Sequence, residues 1–153
     1  MKNIVVTFFV GFLFSCGTVD KVEAQFENKV AESFHQDWIA GVRGGGGGIK
    51  FKLKLKTELS EGAELKRVIF KGFEASFSQL DTLYYQAVII TGVNQERFEG
   101  DDKSTSSSPR SNIQLKDNEA ILVFSKSGKE YQQKITNVVK KSALEYPSAR
   151  PKF

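Results

Sequence analysis

The fold is decided by residues 44–56, which read Gly44-Gly45-Gly46-Gly47-Gly48-Ile49-Lys50-Phe51-Lys52-Leu53-Lys54-Leu55-Lys56. Apolar residues alternate with lysines through the second half of this stretch. Successive side chains of a strand point to opposite faces, so the alternation predicts a strand with one apolar face and one lysine face. The five glycines predict a flexible strand connection, and the alternative is a loop where a ligand or another chain approaches the backbone closely.

Short segments rich in aromatic and β-branched residues predict the remaining strands. They are residues 38–43, 65–70, 73–78, 84–91, 119–125 and 130–136. The last two flank Gly128, whose tolerance of a positive φ predicts a β-hairpin. The sequence contains no convincing long helix. The predicted fold class is therefore mostly β, as a single antiparallel β-sandwich or a partly closed barrel of about six or seven strands.

Composition divides the chain into parts with different roles. We assign residues 1–15 to a signal peptide, 16–36 to a lipidated cysteine and flexible tether, 37–146 to the β domain and 147–153 to an extended tail. A short helix is an option over residues 27–34, because Val30 and Phe34 have i, i+4 spacing. Residues 94–111 are rich in serine and acidic side chains and predict a long, mobile surface loop.

The N-terminus predicts export. Lys2 precedes twelve uncharged residues, a run of signal-peptide length that is too short to span a bilayer, which takes roughly 20 residues. A buried core helix is the less favoured interpretation. The run ends in Leu13-Phe14-Ser15-Cys16, which resembles the lipobox of bacterial lipoproteins. That resemblance implies a diacylglycerol on the Cys16 sulfur, although Phe14 is larger than the usual occupant. Cleavage after Ala24 into a secreted or periplasmic protein is the alternative.

The cysteine count and the charge agree with this location. Cys16 is the only cysteine, so the chain cannot form an internal disulfide, and acylation would remove a reactive free thiol. Removing residues 1–15 takes away one lysine from a formal net charge of +4. A charge this mild does not indicate nucleic acid as a partner. We therefore expect a cell-envelope protein, lipid-anchored to a bacterial membrane and facing the periplasm or the cell surface.

Catalytic and metal-binding sets are not predicted. His35 is the only histidine, and with Cys16 committed to lipid no His/Cys metal cluster can be assembled. We interpret His35 as a surface imidazole near Trp38. Asp101 and Asp102 could bind Ca²⁺, but their spacing is not that of an EF-hand, and a solubilising loop is the simpler interpretation. The glycine run opens a strand rather than a helix, unlike a phosphate loop. We predict no catalytic residue, metal or cofactor.

Two sets of residues are candidates for contact with a ligand or partner. Lys50, Lys52, Lys54 and Lys56 would form either the solvated face of an edge strand or a patch for anionic glycan or lipid headgroups. Trp38, Tyr84 and Tyr85 would either pack in the core or stack on sugars.

Three stretches together resemble small uncharacterised lipoproteins of Bacteroidota. They are Asp37-Trp38-Ile39-Ala40-Gly41-Val42-Arg43-Gly44-Gly45-Gly46, then Lys116-Asp117-Asn118-Glu119-Ala120-Ile121-Leu122 with the following Gly128-Lys129 hairpin, and Leu144-Glu145-Tyr146-Pro147-Ser148. The resemblance implies export and a β fold, and it implies no activity.

The function that fits these features is a lipid-anchored, non-enzymatic binding or interaction module of the cell envelope. Its partners would be the membrane, through the anchor, and an envelope protein or a glycan. A glycan-binding accessory protein is the first alternative, and it needs the three aromatic residues exposed in a row. An envelope hydrolase of unrecognised type is the second, and it needs a pocket lined by two acids on strands.

Overall fold

The computed structural model describes residues 29–95 and 107–146. They form eight strands: β1 (Val30–Ala40), β2 (Gly47–Leu55), β3 (Ala63–Phe70), β4 (Phe73–Asp81), β5 (Tyr84–Ile90), β6 (Ala120–Lys126), β7 (Lys129–Ile135) and β8 (Val139–Tyr146). No helix occurs within these two ranges. The prediction of a mostly β fold is confirmed, and strand β2 contains the alternating segment that predicted it.

The strands form one mixed sheet in the order β7-β6-β3-β4-β5-β2-β1-β8. All neighbours are antiparallel except β1 and β8, which are parallel. The sheet bends strongly. The bend is shown by the rings of Phe51 on β2 and Phe70 on β3, which lie 5.2 Å apart although two strands separate β2 from β3. In a flat sheet those strands would be about 14 Å apart. A three-residue link carries the chain from β7 at one edge of the sheet to β8 at the other, so these two strands lie close to each other where the link joins them.

The core lies on the inner face of this bent sheet. Strand β2 supplies Ile49, Phe51, Leu53 and Leu55, which pack against apolar residues of β3, β5 and β6. Phe51 and Phe70 are fully buried and make an edge contact at the centre. The lysines of β2 alternate with these residues and therefore lie on the outer face. The predicted division of β2 into an apolar face and a lysine face is confirmed.

The glycine run forms the corner between β1 and β2. Gly46 adopts a φ of 82°, and its N–H donates to the Asn94 carbonyl oxygen. Gly48 lies within β2, opposite Trp38 on β1 and Ile90 on β5. A Cβ at Gly48 would collide with the Ile89 carbonyl oxygen, so only glycine lets β5 approach this closely. The glycine run is thus the predicted strand connection, and the group that approaches Gly48 closely belongs to strand β5 of the same chain.

Four details of the predicted fold differ from the structure. There are eight strands rather than six or seven, and the β1–β8 pair makes the sheet mixed rather than purely antiparallel. The residues we assigned to a tether or short helix from Val30 onward belong to β1. Its buried inner side chains there are Ser33 and His35, which are polar, so no apolar alternation revealed the strand. Strand β2 is also an interior strand, since β5 and β1 pair with its two sides, rather than an edge strand.

Several predictions fall outside the described residues. The signal peptide, Cys16 and the cleavage alternative after Ala24 lie before residue 29, and the extended tail lies after residue 146. Most of the predicted 94–111 loop, including Asp101 and Asp102, falls between the two described ranges. In the part of the chain that the structure covers, we find no helix with the length and apolar character needed to cross a membrane.

Candidate functional sites

The four lysines of the β2 stripe occupy different surroundings. Lys52 and Lys54 lie beside aromatic rings on the outer face. Lys50 is half-buried between Gln36 on β1 and Val88 on β5, nearer the glycine run. Lys56 is exposed beyond the end of β2, and its N–H donates to the Lys29 carbonyl oxygen. The structure therefore gathers two of the four predicted lysines into a shared surface.

That surface, which we call the lysine–aromatic surface, consists of Phe34, Lys52, Lys54, Leu80, Tyr84 and Lys141. Its side chains come from five strands, β1, β2, β4, β5 and β8. The register explains their meeting, because Phe34 pairs with Lys52 and Tyr84 pairs with Lys54 on the same face. A shallow depression of about 270 Å³ lies over Phe34, Leu80 and Tyr84. Leu80 and Tyr84 are 59% and 43% exposed, so the surface is accessible.

Cation–aromatic contacts organise the lysine–aromatic surface. The ammonium groups of Lys141 and Lys52 lie 3.4 Å and 5.8 Å from the centre of the Phe34 ring, and that of Lys54 lies 5.1 Å from the Tyr84 ring. A hydrogen bond to the Tyr84 oxygen raises the pKa of Lys54. Lys141 also forms a 2.8 Å ion pair with Glu32 and lowers the pKa of that carboxyl. The three lysines therefore present their ammonium groups around aromatic rings.

A second site lies at the opposite end of β1 and β2. We call this site the glycine-end groove, because it opens beside the glycine corner. Its volume is about 430 Å³, within the range of small-molecule sites, and its wall is mainly apolar. The apolar lining includes Trp38, Ile39, Ile49, Phe73 and Val93, and the charged residues at the groove are Asp37, Lys71 and Glu145. Ile39 and Val93 are 42% and 54% exposed, so apolar surface is open to solvent here.

His35 lies beside the groove and is buried, with 2% of its surface exposed. The prediction of a surface imidazole is wrong, because β1 directs this side chain into the interior against the Phe70 ring, 4.9 Å away. Its Nδ1 atom has no hydrogen-bond partner among the described residues and lies 3.7 Å from Asp37 Oδ1. Burial lowers the pKa of His35, and the charge of Lys71 adds to that effect against the opposing charge of Asp37. His35 is therefore neutral at pH 7.

Asp37 links this histidine to the groove. Lys140 on β8 forms a 2.9 Å ion pair with the Asp37 carboxylate. Burial alone would raise the pKa of Asp37, but the Lys140 hydrogen bond and the nearby positive charges outweigh it and lower that pKa. The ion pair also raises the pKa of Lys140. The ion pair with Lys140 thus fixes the position of the Asp37 carboxylate. This carboxylate carries no proton at neutral pH and can accept hydrogen bonds from a ligand.

Two arrangements in this region resemble catalytic sets, and the structure limits what each can do. Ser33, His35 and Asp37 share one face of β1 through period-two spacing, but the Ser33 hydroxyl donates to the Asn137 carbonyl oxygen at 3.3 Å rather than to His35. Asp37 and Glu145 both line the glycine-end groove, as an acid pair would. An acid pair for hydrolysis uses one ionised carboxylate and one acid, and the lowered pKa of Asp37 leaves it only the ionised role.

The three predicted aromatic contacts do not form a row. Trp38 is 3% exposed and lies over the β1–β2 corner, and Tyr85 is 8% exposed and faces the core. Tyr84 points to the outer face and joins the lysine–aromatic surface. Within residues 29–95 and 107–146, no group of three or more His, Cys, Asp or Glu side chains could hold a metal ion.

Sequence reasoning missed several residues of these sites. Phe34 and Lys141 were missed because their strands lack an apolar alternation, and Leu80 because β4 was expected to end at residue 78. The alternation Ser33-His35-Asp37 was the available signal for β1.

No family model, no curated protein and no solved structure matches this chain.

Proposed function

We propose that this chain is a non-enzymatic binding module of the bacterial cell envelope, held at a membrane by lipid on Cys16. The observation that carries the binding role is the glycine-end groove, an open apolar site of about 430 Å³. A groove of this size takes an apolar group of a ligand or of a partner's side chain, and a few charged groups at its rim fix the orientation. Lys71, Glu145 and the Asp37–Lys140 pair provide those charges.

The position of the groove supports the same proposal. The chain enters the domain at Lys29, beside Lys56 and the end of β2, which we call the entry end. The groove includes Ile49, near the start of β2. From Ile49 to Lys54 the strand advances roughly 17 Å. A module anchored through its N-terminus would therefore present the groove away from the anchor.

The two alternative functions have less support. A glycan-binding face needs exposed aromatic rings, and of the three candidates only Tyr84 is exposed. A hydrolase acting through Asp37 and Glu145 would have to use Glu145 as its acid, because Lys140 favours the ionised form of Asp37. For the finer architecture, we propose a partly closed barrel rather than a sandwich, and the Phe51–Phe70 contact across the bend supports this choice.

Fluorescence of Trp38 tests the binding role. It is the only tryptophan in the chain, and it lines the groove. The uncharged dye dansylamide has an apolar ring system and absorbs where tryptophan emits, and we expect it to bind the groove and accept energy from Trp38. Ala143→Phe should block the groove, because Ala143 is exposed and lines it. We expect the affinity for the dye to fall at least about tenfold, since a blocked site forfeits its apolar contacts.

Ser142→Phe is the matched control, because Ser142 is the exposed neighbour on β8 that does not line the groove. It should bind the dye as the unmodified protein does. Equal dye affinity in the Ala143→Phe variant, with both variants folded by circular dichroism, would contradict a binding role for the groove.

A further inference from the structure

The lysine–aromatic surface lies at the entry end, where the chain arrives from Cys16. Lys54 precedes Lys56 by two residues, and the Lys56 N–H donates to the Lys29 carbonyl oxygen at 2.7 Å. Lys29 lies thirteen positions after Cys16 in the sequence. Fully extended, that length of chain reaches at most about 45 Å, and its average span is shorter. An acyl chain on Cys16 would therefore keep the lysine–aromatic surface close to the bilayer.

The charges at the entry end favour an anionic partner. Five lysines gather there, namely Lys29, Lys52, Lys54, Lys56 and Lys141, against three carboxylates, Glu32, Glu58 and Asp81. Glu32 is occupied by Lys141. Asp81 accepts a hydrogen bond from the Thr82 backbone N–H at 2.7 Å. The balance of these groups is positive.

The apolar groups among these lysines favour a lipid surface over a soluble polyanion as the anionic partner. Leu80 and Tyr84 are exposed beside Lys52 and Lys54, and Phe34 lies beneath the ammonium groups. Tyrosine favours the interface between headgroups and hydrocarbon, and lysine extends its charge toward headgroup phosphates while its methylene stem stays on apolar surface. A soluble polyanion has no hydrocarbon region that could cover the exposed Leu80 side chain.

We propose that the lysine–aromatic surface docks on the anionic headgroups of the membrane that holds the Cys16 anchor. The contact is weak by itself, and the anchor makes it effective by keeping the two surfaces at high local concentration. Docking orients the domain, so that the glycine-end groove faces away from the bilayer. This inference rests on the proposed anchor and adds to it a second membrane contact with a defined orientation.

Site-specific quenching on vesicles tests the proposal. Cys16 is the only native cysteine, so in the acylated full-length protein an introduced Leu80→Cys or Val93→Cys provides a single thiol for a fluorophore. Both positions are more than half exposed, Leu80 on the lysine–aromatic surface and Val93 at the groove. The protein is reconstituted in phosphatidylcholine vesicles with or without phosphatidylglycerol, each containing a headgroup-linked nitroxide quencher.

We expect phosphatidylglycerol to increase quenching at position 80 several-fold over that at position 93. Lys52→Glu with Lys54→Glu should remove the difference, and so should high salt, because the attraction is electrostatic. Equal quenching at both positions on anionic vesicles would overturn the docking proposal. A second result would also overturn it: soluble polygalacturonate protects the position 80 thiol from labelling, and anionic vesicles do not. That result would assign the surface to a glycan.

Failure of the anchor has a different signature. Without acylation, the labelled protein would carry a second reactive thiol at Cys16 and would not remain with phosphatidylcholine vesicles. Flotation of that full-length chain with phosphatidylglycerol vesicles, lost in the double lysine variant, would still support docking. The contact is weak without the anchor, so the test uses phosphatidylglycerol vesicles at a lipid concentration and low salt that retain a weakly bound protein. Absence of flotation under those conditions would overturn docking.

Discussion

Replacing Gly48 with alanine tests why glycine stands inside strand β2. The added Cβ would collide with the Ile89 carbonyl oxygen on β5 and would lie 3.1 Å from Trp38 Nε1 on β1. Both neighbours are held by strand pairing, so at least one strand must move. Overpacking of this kind costs about 1–3 kcal/mol, and each ladder hydrogen bond weakened by the movement adds about 1 kcal/mol. We expect a loss of about 2–4 kcal/mol in the free energy of unfolding.

Urea denaturation and thermal melting measure this loss. For a domain of this size, each kcal/mol lowers Tm by about 4 °C, so Gly48→Ala should melt roughly 8–16 °C below the unmodified protein. Gly62→Ala is the matched control, since Gly62 has a φ of 73° but nothing within 4 Å of an added Cβ. It should lose only about 1 kcal/mol, the cost of a positive φ. A Gly48→Ala variant as stable as the Gly62→Ala variant would refute the argument from close approach.

Three further substitutions test the core and the buried polar groups. Phe51→Ala removes a fully buried ring and should lower the urea unfolding free energy by about 3–5 kcal/mol, whereas Val139→Ala, at a 55% exposed position, should change it by less than about 0.5 kcal/mol. Gln133→Met should raise the urea midpoint by an amount equivalent to about 1 kcal/mol, because both amide atoms of Gln133 are buried without a partner among the described residues; a lower midpoint would contradict this. The folded-state pKa of His35 lies below its ordinary 6.5, so stability from the neutral imidazole is complete above about pH 6.5 and declines as the pH falls below it. His35→Asn should flatten that decline in urea titrations at pH 5 and pH 8, and an unchanged slope would show that other groups cause it.

Alternation in the sequence predicted the strands that have an apolar inner face. Strand β2 is the clearest case, and the β6–β7 hairpin with Gly128 at a φ of 76° is another. The first half of β1 and all of β8 were missed for a physical reason. The inner residues of β1 include Ser33 and His35, and β8 is an edge strand whose side chains are mostly exposed, so backbone pairing rather than burial defines both strands.

The candidate sites depended on contacts between distant strands. Lysine alternation identified Lys52 and Lys54, but the Phe34 and Lys141 partners come from strands that the β1–β2 and β1–β8 pairings place beside them. The glycine-end groove could not be predicted either, because it combines β1, β2, β8 and the β3–β4 turn. The glycine run marked its location without indicating its lining. Local patterns thus identified residues, whereas the pairing of distant strands and the bend of the sheet determined their neighbours.

The central claim, a binding module held at a membrane by lipid on Cys16, is tested most directly at the N-terminus of the mature protein. Mass spectrometry of the protein from bacterial membranes should find a diacylglycerol-modified Cys16 as the first residue. Globomycin should block signal-peptide removal, and Cys16→Ala should abolish both acyl labelling and membrane fractionation. A mature protein that begins at Gln25, or a Cys16→Ala variant that still fractionates with membranes and takes up the acyl label, would contradict the claim.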